Sequence, residues 1–147
     1  EIYRALIEAT AFGTRRILQA YDEDGIEVRE LIACGGLPDK NPMVVQIFAD
    51  VCNMPLKIAG TSRACAMGAA MCGATAARKK NGGYGSVPEA AEHMASPPKS
   101  TCAPRPEAAA TYDRLYAEYC HLHDLFGREN RLMHRLREIK AEAGTEA

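Results

Sequence analysis

Residues 31–42 constrain the fold more than any other part of the sequence. An apolar run stops at Gly35 and Gly36, and a short polar loop then leads to Asn41 and Pro42 at the start of a second apolar segment. Asparagine can cap a helix by accepting a hydrogen bond from one of its first free N–H groups, and proline suits the first helical position, where no N–H partner is needed. The pattern therefore predicts a strand, a tight turn and a helix in succession.

The glycine pair allows two interpretations. Because Gly35 and Gly36 lack a Cβ, the backbone can adopt a positive φ and a ligand can approach its amides closely. The N-terminus of the following helix favours negative charge, so a phosphate would suit this place. A glycine pair at the end of a strand can also be a plain turn, and the local pattern alone favours the turn.

The hydrophobic periodicity predicts an α/β fold, with helices packed on a short sheet and long helices at the C-terminus. Strands are predicted at residues 27–34, 56–59 and 101–103. Helices are predicted at residues 2–21, 43–52, 64–80 and 86–94 and from residue 106 onward. The uninterrupted apolar end of the first strand is typical of a strand covered on both faces. In the second helix the core-facing stripe is Val44, Ile47, Phe48 and Val51.

The helix predicted at residues 64–80 has an unusual face of small side chains, namely Cys65, Gly68, Ala69, Cys72 and Ala76. A glycine in the middle of a helix costs about 1 kcal/mol relative to alanine, so Gly68 indicates that something needs the space. A flat ligand and tight packing of the helix on the sheet explain this equally well.

Composition excludes several function classes. Lys+Arg number 18 against 19 Asp+Glu, which gives a net charge of -1 and no basic field for nucleic acid or an anionic membrane. The six cysteines form no C-x-x-C pair, so we expect reduced, buried thiols and a cytoplasmic protein. The four histidines lack the spacing of zinc ligands, and we assign no metal ligand.

The C-terminal part carries a Tyr and Leu stripe at helical spacing, made up of Tyr112, Leu115, Tyr116, Tyr119, Leu122 and Phe126. Such a stripe predicts packing against the rest of the domain, while the arginines that follow it form a solvated face rather than a nucleic-acid patch. We expect residues 1–104 to form one part of a domain and residues 105–147 a helical extension.

The sequence begins on a helix with no preceding strand, so we expect it to be a piece of a longer protein. The strands that would flank residues 31–34 are then absent. An apolar sheet edge left open in this way favours low solubility or homo-oligomers of the isolated chain.

Several stretches together resemble the C-terminal domain of the FGGY family of carbohydrate kinases. They are residues 33–42 (Ala-Cys-Gly-Gly-Leu-Pro-Asp-Lys-Asn-Pro), 46–51 and 66–70, joined in the tail by 82–84, 112–119 and 126–130. The resemblance implies a partial actin-like ATPase domain of the ribonuclease H-like type. Within the family, the tail is most similar to that of bacterial L-ribulokinases.

The resemblance implies that this chain holds the adenosine of ATP or ADP, with Gly35, Gly36 and Leu37 against the nucleotide and Lys40 or Asn41 near its ribose or adenine. Gly68 would then lie on the adenine side of the cleft. The parent kinase would use ATP and Mg²⁺ to convert L-ribulose to L-ribulose 5-phosphate, with the sugar held by an N-terminal domain outside this chain.

No aspartate of the sequence lies in the glycine-flanked context expected of the catalytic base, so we assign no catalytic residue and expect no activity from the chain alone. Two alternatives stay open at this point. The parent could be another FGGY kinase, such as a xylulokinase or glycerol kinase, or the chain could be a non-enzymatic helical interaction module.

Overall fold

The computed structural model describes residues 1–144 of the 147. The strands are β1 (Leu31–Ala33), β2 (Leu56–Ile58) and β3 (Ser100–Cys102). The helices are α1 (Ile2–Glu23), α2 (Gly36–Lys40), α3 (Pro42–Cys52), α4 (Ala64–Ala77), α5 (Val87–Met94), α6 (Pro106–Asp124) and α7 (Leu132–Gly144). The predicted α/β class is confirmed, although the sheet is small and helices dominate.

Helix α3 forms where the sequence predicts it, and its ends follow from local chemistry. The Asn41 side chain accepts a hydrogen bond from the Val44 N–H at 3.4 Å, and Pro42 occupies the first turn. Asn53 ends the helix in the left-handed conformation, with φ of 49°, a conformation that asparagine tolerates better than most residues.

The sheet has the order β1-β2-β3, with β1 parallel and β3 antiparallel to β2. Leu31, Ile32 and Ala33 face Leu56, Lys57 and Ile58 across the parallel pair. The first strand is shorter than predicted, because residues 27–30 have no regular structure. Its predicted burial on both faces is wrong for the described residues, since the Ile32 side chain is 56% exposed.

The core has two parts that meet at α3. On one side α3 packs against α1 and α6 through a cluster of Ala11, Phe12, Ile47, Val51, Tyr112 and Tyr116. On the other side it packs against the sheet through Val45, Ala49, Leu56 and Ile58. Helix α3 is therefore the centre of the fold, which explains why seven of its residues are buried rather than one stripe alone.

Helix α1 is confirmed, but its most regular apolar stripe does not face the core. Ile2, Leu6 and Ile17 are exposed, whereas Ala11 and Phe12 on a neighbouring face are buried. Because α1 is apolar on several sides, periodicity could not decide which side packs.

The C-terminal helices differ in how far they pack. Tyr112 and Tyr116 of α6 are buried, which confirms the packing predicted for the tyrosines, but Leu115 and Leu122 are about half exposed. A π-helical turn, Leu125–Glu129, separates α6 from α7, which has no buried residues. The division at residue 104 stays a prediction, and residues 145–147 of the expected extension lie outside the described part.

The cysteines are free, as predicted, but only some are buried. Cys52 is buried, and burial raises the pKa of its thiol to about 11, so it stays protonated at neutral pH. Cys34, Cys65 and Cys72 are exposed, which corrects the expectation of buried thiols. Among residues 1–144 no helix is both long and apolar enough to cross a membrane.

Candidate functional site

The carboxyl ends of the two parallel strands bring the predicted site to one edge of the sheet. β1 leads into Gly35, β2 leads into Gly60, and the Ala59 N–H donates to the Ala33 carbonyl at 2.9 Å between the two exits. Open α/β sheets bind ligands outside the carboxyl ends of their strands. The turn that precedes α2 therefore lies at the edge at which a ligand is expected, and the segment that leads from β2 to α4 leaves from the same edge.

Gly35 and Gly36 have different structural reasons to be glycine. Gly35 has φ of 98° and ψ of -178°, a combination that is essentially restricted to glycine. Gly36 has no positive φ, and a Cβ built on it would meet nothing within 4 Å. The fold of the described residues thus explains Gly35 but leaves Gly36 without a structural reason.

Gly36 and the four residues after it form the short helix α2 instead of the predicted polar loop. The Leu37 side chain is 58% exposed, which leaves it available for contact with a flat apolar group. Lys40 is exposed, and none of residues 1–144 forms a hydrogen bond or ion pair with its ammonium group. Leu37 and Lys40 are therefore both accessible at the site.

Asn41 is engaged within the fold. Its Oδ1 accepts from the Val44 N–H, and its Nδ2 donates to the Tyr3 hydroxyl at 3.3 Å. The amide therefore caps α3 and ties it to α1. A direct contact of this side chain with a ligand would have to replace one of these hydrogen bonds.

Gly68 lies in the second turn of α4, and the small-residue face around it is open. A Cβ on Gly68 would meet nothing within 4 Å, so tight packing on the sheet does not explain this glycine among the described residues. The helix instead packs against α5 and the loop before it, where the Tyr84 N–H donates to the Ala74 carbonyl at 3.1 Å.

A large apolar hollow of about 590 Å³ adjoins the site between α1 and β1. Tyr3, Leu6, Ile32 and Leu37 are exposed side chains on its walls. β1 is an edge strand of the sheet, as expected, and the apolar surface beside it is also uncovered.

Asp50 is a buried carboxylate that the sequence analysis did not single out. It is 0% exposed, and its Oδ2 accepts from the Arg105 Nε and Nη2 at 3.0 and 2.6 Å. Its Oδ1 accepts from the Arg105 N–H at 2.7 Å and the Gln46 Nε2 at 2.8 Å. This network fixes the start of α6 to α3. The signal in the sequence was a lone charge within an otherwise apolar helix, since buried carboxylates are nearly always paired.

The pKa of Asp50 lies below its ordinary value. Burial alone would raise it, but the hydrogen bonds and the charge of Arg105, with the Gln46 amide, lower it further than burial raises it. The carboxylate is therefore ionised and fully paired at neutral pH, which marks it as a structural group rather than a proton acceptor for a reaction.

Residues 1–77 match the family model for the C-terminal domain of the FGGY family of carbohydrate kinases. The chain is 54% identical over 144 residues to the ribulokinase of Geobacillus thermodenitrificans and 56% identical over 144 residues to that of Anoxybacillus flavithermus. Each comparison covers 97% of this chain and 26% of the relative, so the chain spans about a quarter of the length of these relatives.

Solved structures share the fold at lower identity. A xylulose kinase from Rhodospirillum rubrum matches with a TM-score of 0.67 and 24% identity, over 86% of this chain and 24% of that one. A gluconate kinase from Lactobacillus acidophilus matches with a TM-score of 0.67 and 22% identity, over 90% of this chain and 25% of that one. The family match over residues 1–77, more than half of the chain, shows that the chain belongs to the FGGY family of carbohydrate kinases, as part of its C-terminal domain.

Proposed function

We propose that this chain is the adenosine-binding portion of an ATP-dependent sugar kinase whose substrate is L-ribulose. The observation that carries the proposal is Gly36, which lies at the carboxyl edge of the sheet and lacks a Cβ for no reason within the described fold. A ligand that approaches the backbone closely gives it a reason. The identity of 54% to a ribulokinase supports the choice of sugar.

In this proposal each accessible residue of the site lies near a different part of the nucleotide. The backbone at Gly35 and Gly36 approaches the nucleotide, Leu37 packs against the adenosine, and Lys40 lies near the ribose or the nearer phosphate. The open face of α4 at Gly68 borders the adenine side. Asn41 contributes chiefly by holding the start of α3 in place.

The reacting groups would come from the rest of the kinase. Among residues 1–144 no group of three or more His, Cys, Asp or Glu side chains is placed to hold a metal ion. We therefore assign Mg²⁺ to the nucleotide phosphates and to residues of the kinase outside this chain. Phosphoryl transfer depends on positioning and charge neutralisation, and this chain would supply the positioning of the adenosine end.

A chimeric kinase tests the proposal. In the ribulokinase of Geobacillus thermodenitrificans, the 144 matched residues are replaced by their counterparts from this chain. We expect the chimeric kinase to bind ADP and to phosphorylate L-ribulose with ATP, while the 147-residue chain alone has no activity. A chimera that unfolds cooperatively on heating but binds no ADP would contradict the nucleotide role and favour an interaction module.

The sugar requires a separate assay, because the chimera takes its sugar site from the host enzyme. The longer kinase in which this chain occurs should phosphorylate L-ribulose when ATP and Mg²⁺ are supplied. Activity on glycerol or xylulose alone would overturn the sugar assignment without touching the nucleotide assignment.

A further inference from the structure

The segment that leads into β3 crosses the same sheet edge as the glycine turn. A Cβ on Gly60 would lie 2.2 Å from the Pro97 carbonyl oxygen and 2.8 Å from that of Ser96, so this segment rests directly on the exit of β2. The Lys99 N–H donates to the Ile58 carbonyl at 2.9 Å. The backbone of Lys99 is therefore fixed at the carboxyl edge of the sheet.

The Lys99 side chain reaches from this fixed position to α2. Its Nζ donates to both carboxylate oxygens of Asp39, each at 2.9 Å. The Asp39 side chain is 21% exposed and that of Lys99 45% exposed. This charged contact joins the segment before β3 to the short helix that begins at Gly36.

Helix α2 lies against the start of α3 but has few other anchors. It is five residues long and has no buried residue. Within residues 1–144, Lys99 is the one side-chain hydrogen-bond partner that α2 has. A cleft of about 410 Å³ lies beside the ion pair, with Pro38 and Pro42 on one wall and Lys99–Cys102 on another. No side chain of the described residues therefore fills the space on this side of the ion pair.

We propose that Lys99 is a positioning residue for the nucleotide, which holds α2, and with it Gly36 and Leu37, in the orientation that binds adenosine. This proposal rests on the function proposed above. It assigns a role in the nucleotide site to a residue outside residues 1–77, the part that matches the family model. Lys99 acts through Asp39 and does not itself touch the nucleotide.

The test uses variants of the chimeric kinase. Replacement of Lys99 by methionine, or of Asp39 by asparagine, should raise KM for ATP about three- to fivefold, the ratio that corresponds to a partly exposed ion pair. The turnover number kcat and KM for L-ribulose should stay unchanged, since chemistry and sugar binding belong to other parts of the kinase. The double variant should be no worse than either single variant, because one contact is lost in each case.

Two further variants separate positioning from general stability. Lys57→Met is the matched control, since Lys57 in β2 forms an ion pair with Glu30, just before β1, and among residues 1–144 forms no hydrogen bond or ion pair with α2. It should change the melting temperature as much as Lys99→Met and leave KM for ATP unchanged. Lys99→Arg keeps the charge and should retain most of the affinity for ATP.

Equal KM values for ATP in Lys99→Met and Lys57→Met would overturn the role of Lys99, as would a fall in kcat alone. Gly36→Val in the same chimera tests the nucleotide site separately from the positioning role of Lys99. If Gly36→Val raises KM for ATP and Lys99→Met does not, only the positioning role fails. If Gly36→Val also has no effect, both the nucleotide site and the positioning role fail.

Discussion

Replacement of Asp50 by asparagine should lower the free energy of unfolding of the chain by about 2 kcal/mol at pH 7, the usual cost of losing hydrogen bonds to a buried charged group. The loss is smaller than for a fully buried ion pair, because the Arg105 side chain is 61% exposed and can be solvated when its partner is removed. The carboxylate accepts four hydrogen bonds, from Gln46 and Arg105, in a fully buried position. An amide of the same shape puts an NH₂ group opposite one set of these donors. The start of α6 should then loosen from α3.

The effect of Asp50→Asn should depend on pH in a defined direction. Because Arg105 and Gln46 hold the pKa of Asp50 below its ordinary value, the carboxylate stabilises the fold above the unfolded-state pKa of about 3.9. That contribution is lost as the pH falls through the lower folded-state pKa. Urea unfolding of both proteins at pH 7 and near pH 3 should therefore show a smaller difference at the acid end.

Asp113→Asn is the matched control for Asp50. Asp113 forms an ion pair with Arg15 at 2.7 Å, but its side chain is 50% exposed. Its removal should cost about 1 kcal/mol or less, as is usual for surface pairs. Equal losses in the two variants, or a deficit of Asp50→Asn that grows in acid, would contradict the account of a buried clamp.

Gly60→Ala should lower the free energy of unfolding by about 2–3 kcal/mol, the range for overpacking a tight contact. The added methyl group would lie 2.2 Å from the Pro97 carbonyl oxygen and 2.6 Å from the Ser96 Cβ. Two of the three close atoms belong to the backbone, so no side chain can simply rotate away. The segment before β3 must move instead, and urea unfolding at neutral pH measures the cost.

A second glycine provides a control in which alanine should raise, rather than lower, the free energy of unfolding. Gly73 lies inside α4, and a Cβ there would meet nothing within 4 Å. Gly73→Ala should therefore stabilise the chain by up to about 1 kcal/mol through helix propensity alone. If Gly60→Ala were neutral or stabilising like Gly73→Ala, the segment before β3 would not rest on the exit of β2.

The sequence was sufficient where local chemistry decides the structure. Asn41 and Pro42 start α3, and Asn53 ends it, because capping and the left-handed turn depend on neighbouring backbone groups. Ser86 caps α5 by accepting from the Glu89 N–H at 3.3 Å, as its spacing predicts. The glycine turn after β1 was likewise predictable, although the one-turn helix behind it was not.

Hydrophobic periodicity could not predict contacts between residues that are far apart in the sequence. Asp50 and Arg105 are 55 positions apart, and Asp39 and Lys99 are 60 apart. No periodicity links such pairs, since they meet only after β3 joins the sheet beside β2. For the same reason the sequence could not choose between a ligand and the sheet as the reason for Gly68, which the structure leaves in open space.

KM for ATP in the chimeric kinase carrying Gly36→Val tests the central claim most directly. Because a Cβ at Gly36 would meet nothing within 4 Å in the described fold, the substitution should change the melting temperature little, and a change in KM for ATP would then report on the ligand. We predict a rise in KM for ATP of about tenfold or more, which corresponds to 1.4 kcal/mol or more of lost binding. Gly127→Val, at another open glycine between α6 and α7, should have no such effect. An unchanged KM for ATP in Gly36→Val, or the same change in both variants, would contradict the nucleotide site.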